Sequence, residues 1–180
     1  MSKNSTRVAL GGMSASLCLV LMFLTGLIPF ATYALPAAAG IVLISVVIEN
    51  GYPTAVMVYV AVSILSVFIV PDKEAAVMFI AIFGYYPILK GKLEKIKFRI
   101  LEYLAKFGVF NVAVIAGYLF VIFALGIDDV MAEMNGVGKY APLLLLGLAN
   151  IMFIIYDYAL TQVIGLYVEI IRPKILRKFK

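Results

Sequence analysis

Residues Val8–Phe30 read VALGGMSASLCLVLMFLTGLIPF, a run of 23 residues without a charged side chain. An α-helix needs about 20 apolar residues to cross the hydrocarbon core of a bilayer, because each residue adds about 1.5 Å along the axis. The run exceeds the apolar part of a normal signal peptide, although Lys3 and Arg7 precede it. It therefore predicts an uncleaved membrane-spanning helix.

The composition of the rest of the chain indicates the same environment. Hydrophobic residues make up 64% of the 180 residues and charged residues only 14%, which would leave a water-soluble domain of this size with too little polar surface. The dyad alternation of a membrane-spanning barrel is missing from the sequence. We therefore predict an all-α integral membrane protein, multi-pass in the cell membrane, with a single transmembrane domain over residues 1–180.

The residue types present restrict the possible chemistry. The sequence contains no histidine or tryptophan and a single cysteine, Cys18. This excludes histidine metal sites, Ser-His-Asp catalysis and an intramolecular disulfide. The acids Glu94 and Glu102 are eight residues apart, but no metal-ligand set accompanies them. We expect neither an enzyme nor a protein that needs a cofactor or a metal.

Apolar runs bounded by charge, proline or glycine divide the chain into six predicted helices. Their bounds are about 8–30, 34–50, 53–70, 73–90, 107–127 and 141–171. The second, third and fourth are short, and the alternative for the second and third is a re-entrant pair. Gly84 and Pro87 are expected to kink the fourth.

The link between the fourth and fifth helices has a pattern of its own. Residues 91–106 mix basic with apolar side chains, which predicts an amphipathic helix on the cytoplasmic surface that contacts anionic lipid or a protein partner.

The distribution of positive charge predicts the orientation. Lysine and arginine in short loops are retained on the cytoplasmic side of a membrane. Six crossings with both termini in the cytoplasm place 13 of the 15 positive residues inside and leave only Lys73 and Lys139 outside. The net charge of +5 is thus a topology signal, and we expect no nucleic-acid partner.

Asp157 is the most informative single residue, because it lies in the middle of the last apolar run. A carboxylate at the centre of a spanning helix costs about 2.5–3.5 kcal/mol on insertion scales. Asn150 and Thr161 share its helix face at spacings of seven and four, and Tyr158 lies beside it. Two hypotheses remain: a ligand-binding site made by Asn150, Asp157, Tyr158 and Thr161, or a hydrogen-bonded clasp between helices.

The first helix carries two small-xxx-small pairs, Gly11 with Ala15 and Gly12 with Ser16. Small residues at this spacing allow another helix to approach closely. They pack either inside the bundle or against a helix of a different subunit.

The length, the six predicted helices, the cytoplasmic termini and these small residues make the chain similar to the substrate-binding S components of energy-coupling factor transporters. In that family the first helix contacts a transmembrane coupling protein through an Ala-xxx-Ala pattern, for which the matching positions are Gly11, Gly12, Ala15 and Ser16. The resemblance implies capture of a small organic, vitamin-like solute from outside, since metal-specific members use histidines.

The resemblance also implies partners in trans, a coupling protein and two ATPases. No Gly-x-x-x-x-Gly-Lys-Ser/Thr loop occurs in the sequence, so ATP hydrolysis would be supplied by those ATPases. The alternative is a structural or assembly membrane protein without a transported solute.

Overall fold

The computed structural model describes residues 3–28, 31–125 and 141–173. Over these residues the chain is all-α and contains no β-strand, which confirms the predicted fold class. The helices are α1 (Lys3–Phe23), α2 (Ala34–Asn50), α3 (Tyr52–Ile69), α4 (Lys73–Met78), α5 (Tyr86–Leu93), α6 (Arg99–Leu125) and α7 (Ala141–Leu166). A 3₁₀ turn, Leu24–Gly26, extends α1, and π-helical turns follow α4 (Phe79–Phe83) and α7 (Tyr167–Ile171).

Five helical segments of the described chain are long and apolar enough to cross a membrane. They are Ser5–Gly26, Tyr52–Ile69, Lys73–Leu93, Arg99–Gly117 and Leu143–Ile170. Helix α2 is also apolar but has 17 residues, a length of about 25 Å. Many large apolar side chains are exposed on the outside of the bundle, as expected for a surface covered by lipid. The chain is thus a multi-pass α-helical membrane protein.

Contacts between helix termini define two ends of the bundle. At the first, which we call the basic end, the Asn50 side chain donates to the Arg7 carbonyl (2.9 Å), Arg172 pairs with Glu49 (3.3 Å), and the Lys92 ammonium lies over the Tyr52 ring. These contacts gather the starts of α1 and α3 and the ends of α2, α5 and α7.

At the opposite end, the Tyr33 hydroxyl donates to Glu74, the Lys73 ammonium donates to the Val70 carbonyl (3.0 Å), and Asp72 caps α4 by accepting from the Ala75 amide (3.1 Å). Helices α2 and α3 therefore each extend from one end of the bundle to the other. That both helices cross the bilayer stays a prediction, because α3 is long enough to span and α2, with 17 residues, is shorter.

Helix α2 is central to the packing. Its Leu43 side chain belongs to an apolar cluster with α1 and α3, and its Ile44 side chain belongs to a second cluster with α5, α6 and α7. A helix that is buried on both sides has no polar face. This explains why α2 has a nearly uniform apolar sequence.

The fourth span departs from regular α-helix just before Gly84 and Pro87, the two residues at which a kink is predicted. After α4 the chain makes the π-helical turn, and α5 begins with Pro87 in its first turn. Two tyrosine hydroxyls bond carbonyls of this turn: Tyr59 donates to Ile80 (2.7 Å) and Tyr156 to Phe83 (3.2 Å). A broken helix is tolerated in a membrane when other helices satisfy its backbone groups in this way.

The structure differs from the predicted surface helix over residues 91–106. Helix α5 ends at Leu93, and α6 begins at Arg99 and continues without a break to Leu125. The reason is that Lys106 and Phe110, one turn apart, are both buried against the bundle, so residues 99–106 form the first two turns of the fifth span. The predicted outer loop with Lys139 lies outside the described residues.

Candidate functional site: a buried ionic cluster and an open helix groove

Asp157 binds side chains from two other helices. Its Oδ1 accepts a hydrogen bond from the Tyr86 hydroxyl (2.6 Å) and forms an ion pair with Lys90, both on α5. The Lys90 ammonium also donates to the Asp157 carbonyl (3.2 Å). From α6, the Lys106 ammonium lies 3.4 Å from Oδ2. Asp157 is therefore an ionic tie among α5, α6 and α7.

Two glutamates complete this group. Glu94 lies 2.8 Å from the Lys90 ammonium and 3.5 Å from that of Lys106, and Glu102 lies 2.8 Å from Lys106. We call Tyr86, Lys90, Glu94, Glu102, Lys106 and Asp157 the ionic cluster. With three carboxylates and two ammonium groups its formal charge is −1.

The two lysines of the ionic cluster are almost completely buried. The exposed fraction of the side chain is 0% for Lys90 and 4% for Lys106. Removing an ammonium group from water costs several kcal/mol, which is offset only when opposite charges and hydrogen bonds surround it. The carboxylates provide both, and they remain partly accessible: 19% of the Asp157 side chain and 39% of the Glu94 side chain are exposed.

Helical spacing explains how the sequence assembles the cluster. Tyr86, Lys90 and Glu94 follow one another at intervals of four residues along and just beyond α5, and Glu102 and Lys106 have the same spacing on α6. Residues four apart lie on one helix face. Two such faces meet α7 at Asp157.

An aromatic layer lies next to the cluster. The Phe153 ring, one turn before Asp157, stacks on Phe110 with centroids 4.2 Å apart and contacts the rings of Phe107 (5.5 Å) and Tyr86 (4.9 Å) edge to face. These rings make the surroundings apolar on one side of the charged groups. A low local dielectric strengthens the electrostatic interactions between those charges.

Asn150 makes a second polar contact between α6 and α7. The Asn150 and Asn111 side chains donate to each other's carbonyl oxygens at 2.9 Å, and each also donates to a carbonyl of its own helix at 2.8 Å. All four N–H donors of the two amides are used. At Asn150 the geometry is that of a helix clasp, the second of the two hypotheses.

The other two predicted ligand-binding residues are exposed on α7. Tyr158 is 66% exposed on the outside of the bundle. Thr161 is also exposed, and its hydroxyl donates to the Asp157 carbonyl of its own helix (3.0 Å). The structure thus brings Asp157, but not Tyr158 or Thr161, to the inward face of α7.

The small residues of α1 line a groove against α3. It has a volume of about 470 Å³ and is bordered by Gly11, Gly12 and Ala15 on α1 and by Thr54, Met57 and Ala61 among other residues on α3. Gly11 is buried, and a Cβ atom there would lie 3.4 Å from Val58, whereas a Cβ atom at Gly12 would meet nothing within 4 Å. Ser16 is not part of the groove lining, and its hydroxyl bonds to the Gly12 carbonyl (3.0 Å).

The sequence reasoning missed Tyr86, Lys90 and Lys106 as partners of Asp157. Both lysines belong to a basic loop by sequence, a pattern that predicts a cytoplasmic location and contact with lipid or a partner but not burial. The signal that could have identified them is the regular spacing of four between each lysine and a glutamate. Within the described residues, no group of three or more His, Cys, Asp or Glu side chains is arranged to hold a metal ion.

Comparisons with known proteins add no relative. No family model matches the chain, and no curated protein or solved structure is significantly similar to it.

Proposed function

We propose that this chain is the membrane-embedded, solute-binding subunit of a transporter in the cell membrane, and that it works with a separate coupling protein and ATPases. The observation that supports this most is the open α1–α3 groove. Of the four positions that the resemblance matches to the coupling-protein contact of S components, Gly11, Gly12 and Ala15 line this groove. A helix seated there could approach the α1 backbone closely, because Gly12 has open space beside it.

The solute would be a small organic molecule with a hydrogen-bond donor or a positive charge. Asp157 offers Oδ2 for this purpose, since the contact of this atom with Lys106 is long at 3.4 Å, and the partly exposed Glu94 adds a second carboxylate. Asn150 and Tyr158 play no part in this version of the site, because the first is engaged by Asn111 and the second is on the outer surface.

The test of the groove is a pair of glycine substitutions. Gly12→Leu fills the groove, and Gly147→Leu makes the same change on α7, where a Cβ atom also meets nothing within 4 Å. Both variants should fold. After mild solubilisation of membranes from the native host, a coupling membrane protein and ATPases should co-purify with the wild type and with Gly147→Leu, and at least tenfold less with Gly12→Leu. Equal recovery with Gly12→Leu would contradict docking in the groove.

A thermal-shift screen of vitamins on the purified chain tests the solute. At least one compound should raise the melting temperature of the wild type, and the increase should be smaller in Glu94→Gln. A panel without any stabilising compound would count against solute binding.

The second candidate is an assembly or structural membrane protein without a solute. It is favoured by the clasps at Asp157 and Asn150, in which the polar groups of α7 already have partners inside the bundle. Under this function a partner still depends on Gly12, but no vitamin changes the melting temperature. The two experiments together distinguish the candidates.

The proposal includes the orientation inferred from charge, with the basic end and both termini in the cytoplasm. After replacement of Cys18, an impermeant thiol reagent added to intact cells should label Lys139→Cys and leave Lys95→Cys unlabelled until the membrane is opened. The reverse labelling pattern would invert the topology.

A further inference from the structure

The link between α5 and α6 separates its charges by sign. Glu94 and Glu102 turn inward to Lys90 and Lys106. Lys95, Lys97 and Arg99 are exposed, and within the described residues no carboxylate forms an ion pair with them. The side of the link that faces away from the bundle is therefore mainly cationic, because the partly exposed Glu94 carboxylate is already paired with Lys90 and Lys106.

Apolar side chains accompany these cations. Phe98, Ile100 and Leu104 are 70%, 77% and 64% exposed. They continue the apolar outer surface of α6, whose Val112 is also exposed and which belongs to a membrane-spanning segment. A surface on which cations alternate with apolar groups at the start of a spanning helix lies where lipid headgroups meet acyl chains.

We infer that residues 95–104 form a binding site for anionic phospholipid. Lys95, Lys97 and Arg99 contact the phosphate and the negative headgroup, and Phe98, Ile100 and Leu104 insert beside the acyl chains. Lysine and arginine close to an anionic membrane surface each contribute about 1 kcal/mol. The site requires the ionic cluster, because the cluster pairs the Glu94 and Glu102 carboxylates with Lys90 and Lys106 and so offsets their negative charge beside the headgroup. It does not depend on the proposed transport function.

The charge part of the site is tested by lipid titration of the delipidated protein in neutral detergent. The probes are phosphatidylglycerol and phosphatidylcholine with identical chains. The wild type should bind phosphatidylglycerol more tightly. The triple variant Lys95→Gln/Lys97→Gln/Arg99→Gln should lose about fivefold in this preference for each charge, roughly 100-fold in all. Its melting temperature without added lipid should stay the same, since these side chains have no ion-pair partner in the described chain.

The matched control is Lys92→Gln, which removes the same charge from the same region. The Lys92 ammonium lies 3.6 Å from the centroid of the Tyr52 ring, so this variant should keep the lipid preference within about twofold. An equal loss in Lys92→Gln would mean a general effect of net charge and would overturn the site. An unchanged preference in the triple variant would also overturn it, because the preference would then not depend on Lys95, Lys97 and Arg99.

The apolar part is tested by fluorescence, because the chain contains no tryptophan and a single introduced one reports its own surroundings. Phe98→Trp should be quenched by phosphatidylglycerol with brominated chains at a several-fold lower mole fraction than by brominated phosphatidylcholine. Phe68→Trp, which is exposed on α3, should show no such difference. Equal quenching of Phe98→Trp by both lipids would contradict the proposal.

Discussion

The ionic cluster and the α1–α3 groove differ in how the fold uses their side chains. In the cluster each charged side chain lies within 4 Å of at least one opposite charge, and the two lysines are buried. In the groove, Gly12 is exposed and has nothing beside it. The ion pairs of the cluster stabilise the isolated chain. The open groove contributes nothing to the stability of the isolated chain. Substitutions in the cluster should therefore lower the free energy of unfolding, and small substitutions at Gly12 should leave it nearly unchanged.

The largest effect is expected at Asp157. Asp157→Ala leaves the buried Lys90 with only Glu94 as counter-charge, and removal of one partner from a buried ion pair costs about 3–5 kcal/mol. The control is Glu169→Ala, which lies farther along the same helical segment and replaces an exposed glutamate. Its free energy of unfolding should fall by less than about 0.5 kcal/mol. Thermal unfolding in detergent measures both. Similar melting temperatures for the two variants would show that the cluster does not hold the helices.

A smaller effect is expected from two glycines with opposite surroundings. A Cβ atom at Gly40 of α2 would lie 2.1 Å from the Phe83 carbonyl oxygen, so Gly40→Ala must push α2 away from the broken fourth span. Overpacking of this kind costs about 1–3 kcal/mol. Gly12→Ala, in open space, should be neutral or slightly stabilising because alanine favours helix. If both variants unfold at the same temperature, the close approach of α2 to the fourth span is not required.

The smallest effect is expected at the Asn111–Asn150 clasp. Interhelical hydrogen bonds in membranes contribute about 0.6 kcal/mol on average and at most about 1.7 kcal/mol. Asn111→Leu and Asn150→Leu should each destabilise the chain slightly, and the double variant should lose less than the sum of the two, because no amide is left unpaired. A double-mutant cycle of unfolding free energies measures this coupling. Strict additivity would mean that the two amides do not interact.

Much of the fold followed from local sequence. The predicted second helix, 34–50, coincides with α2, and the predicted third and fourth spans begin within one residue of α3 and α4. An irregular stretch of helix near Gly84 and Pro87 was also predictable, since proline lacks a donor for the helix ladder. The separate surface helix at 91–106 was not found, because periodicity cannot tell a helix that lies on the membrane from the first turns of one that enters it.

The candidate site was predicted only in part. Asp157 was identifiable from sequence because it lies within an apolar run, where burial of a carboxylate costs free energy whatever its neighbours are. Lys90 and Lys106 did not stand out, because their burial depends on which helices become neighbours. Gly12 and Ser16 were equivalent by sequence, yet only Gly12 lines the groove.

The sequence by itself determined that the chain lies in a bilayer and where its apolar helices lie. The reason is that the hydropathy of a segment and the length of an α-helix are local properties, and these two properties decide whether a segment can span the hydrocarbon core. The tertiary structure decided which charges are paired. Asp157 is 67 residues from Lys90 and 51 from Lys106 along the chain, and no local pattern fixes partners at such separations. The packing of α5, α6 and α7 buries Lys90 and Lys106 in the ionic cluster. It leaves Lys95, Lys97 and Arg99 exposed on the outer side of the link.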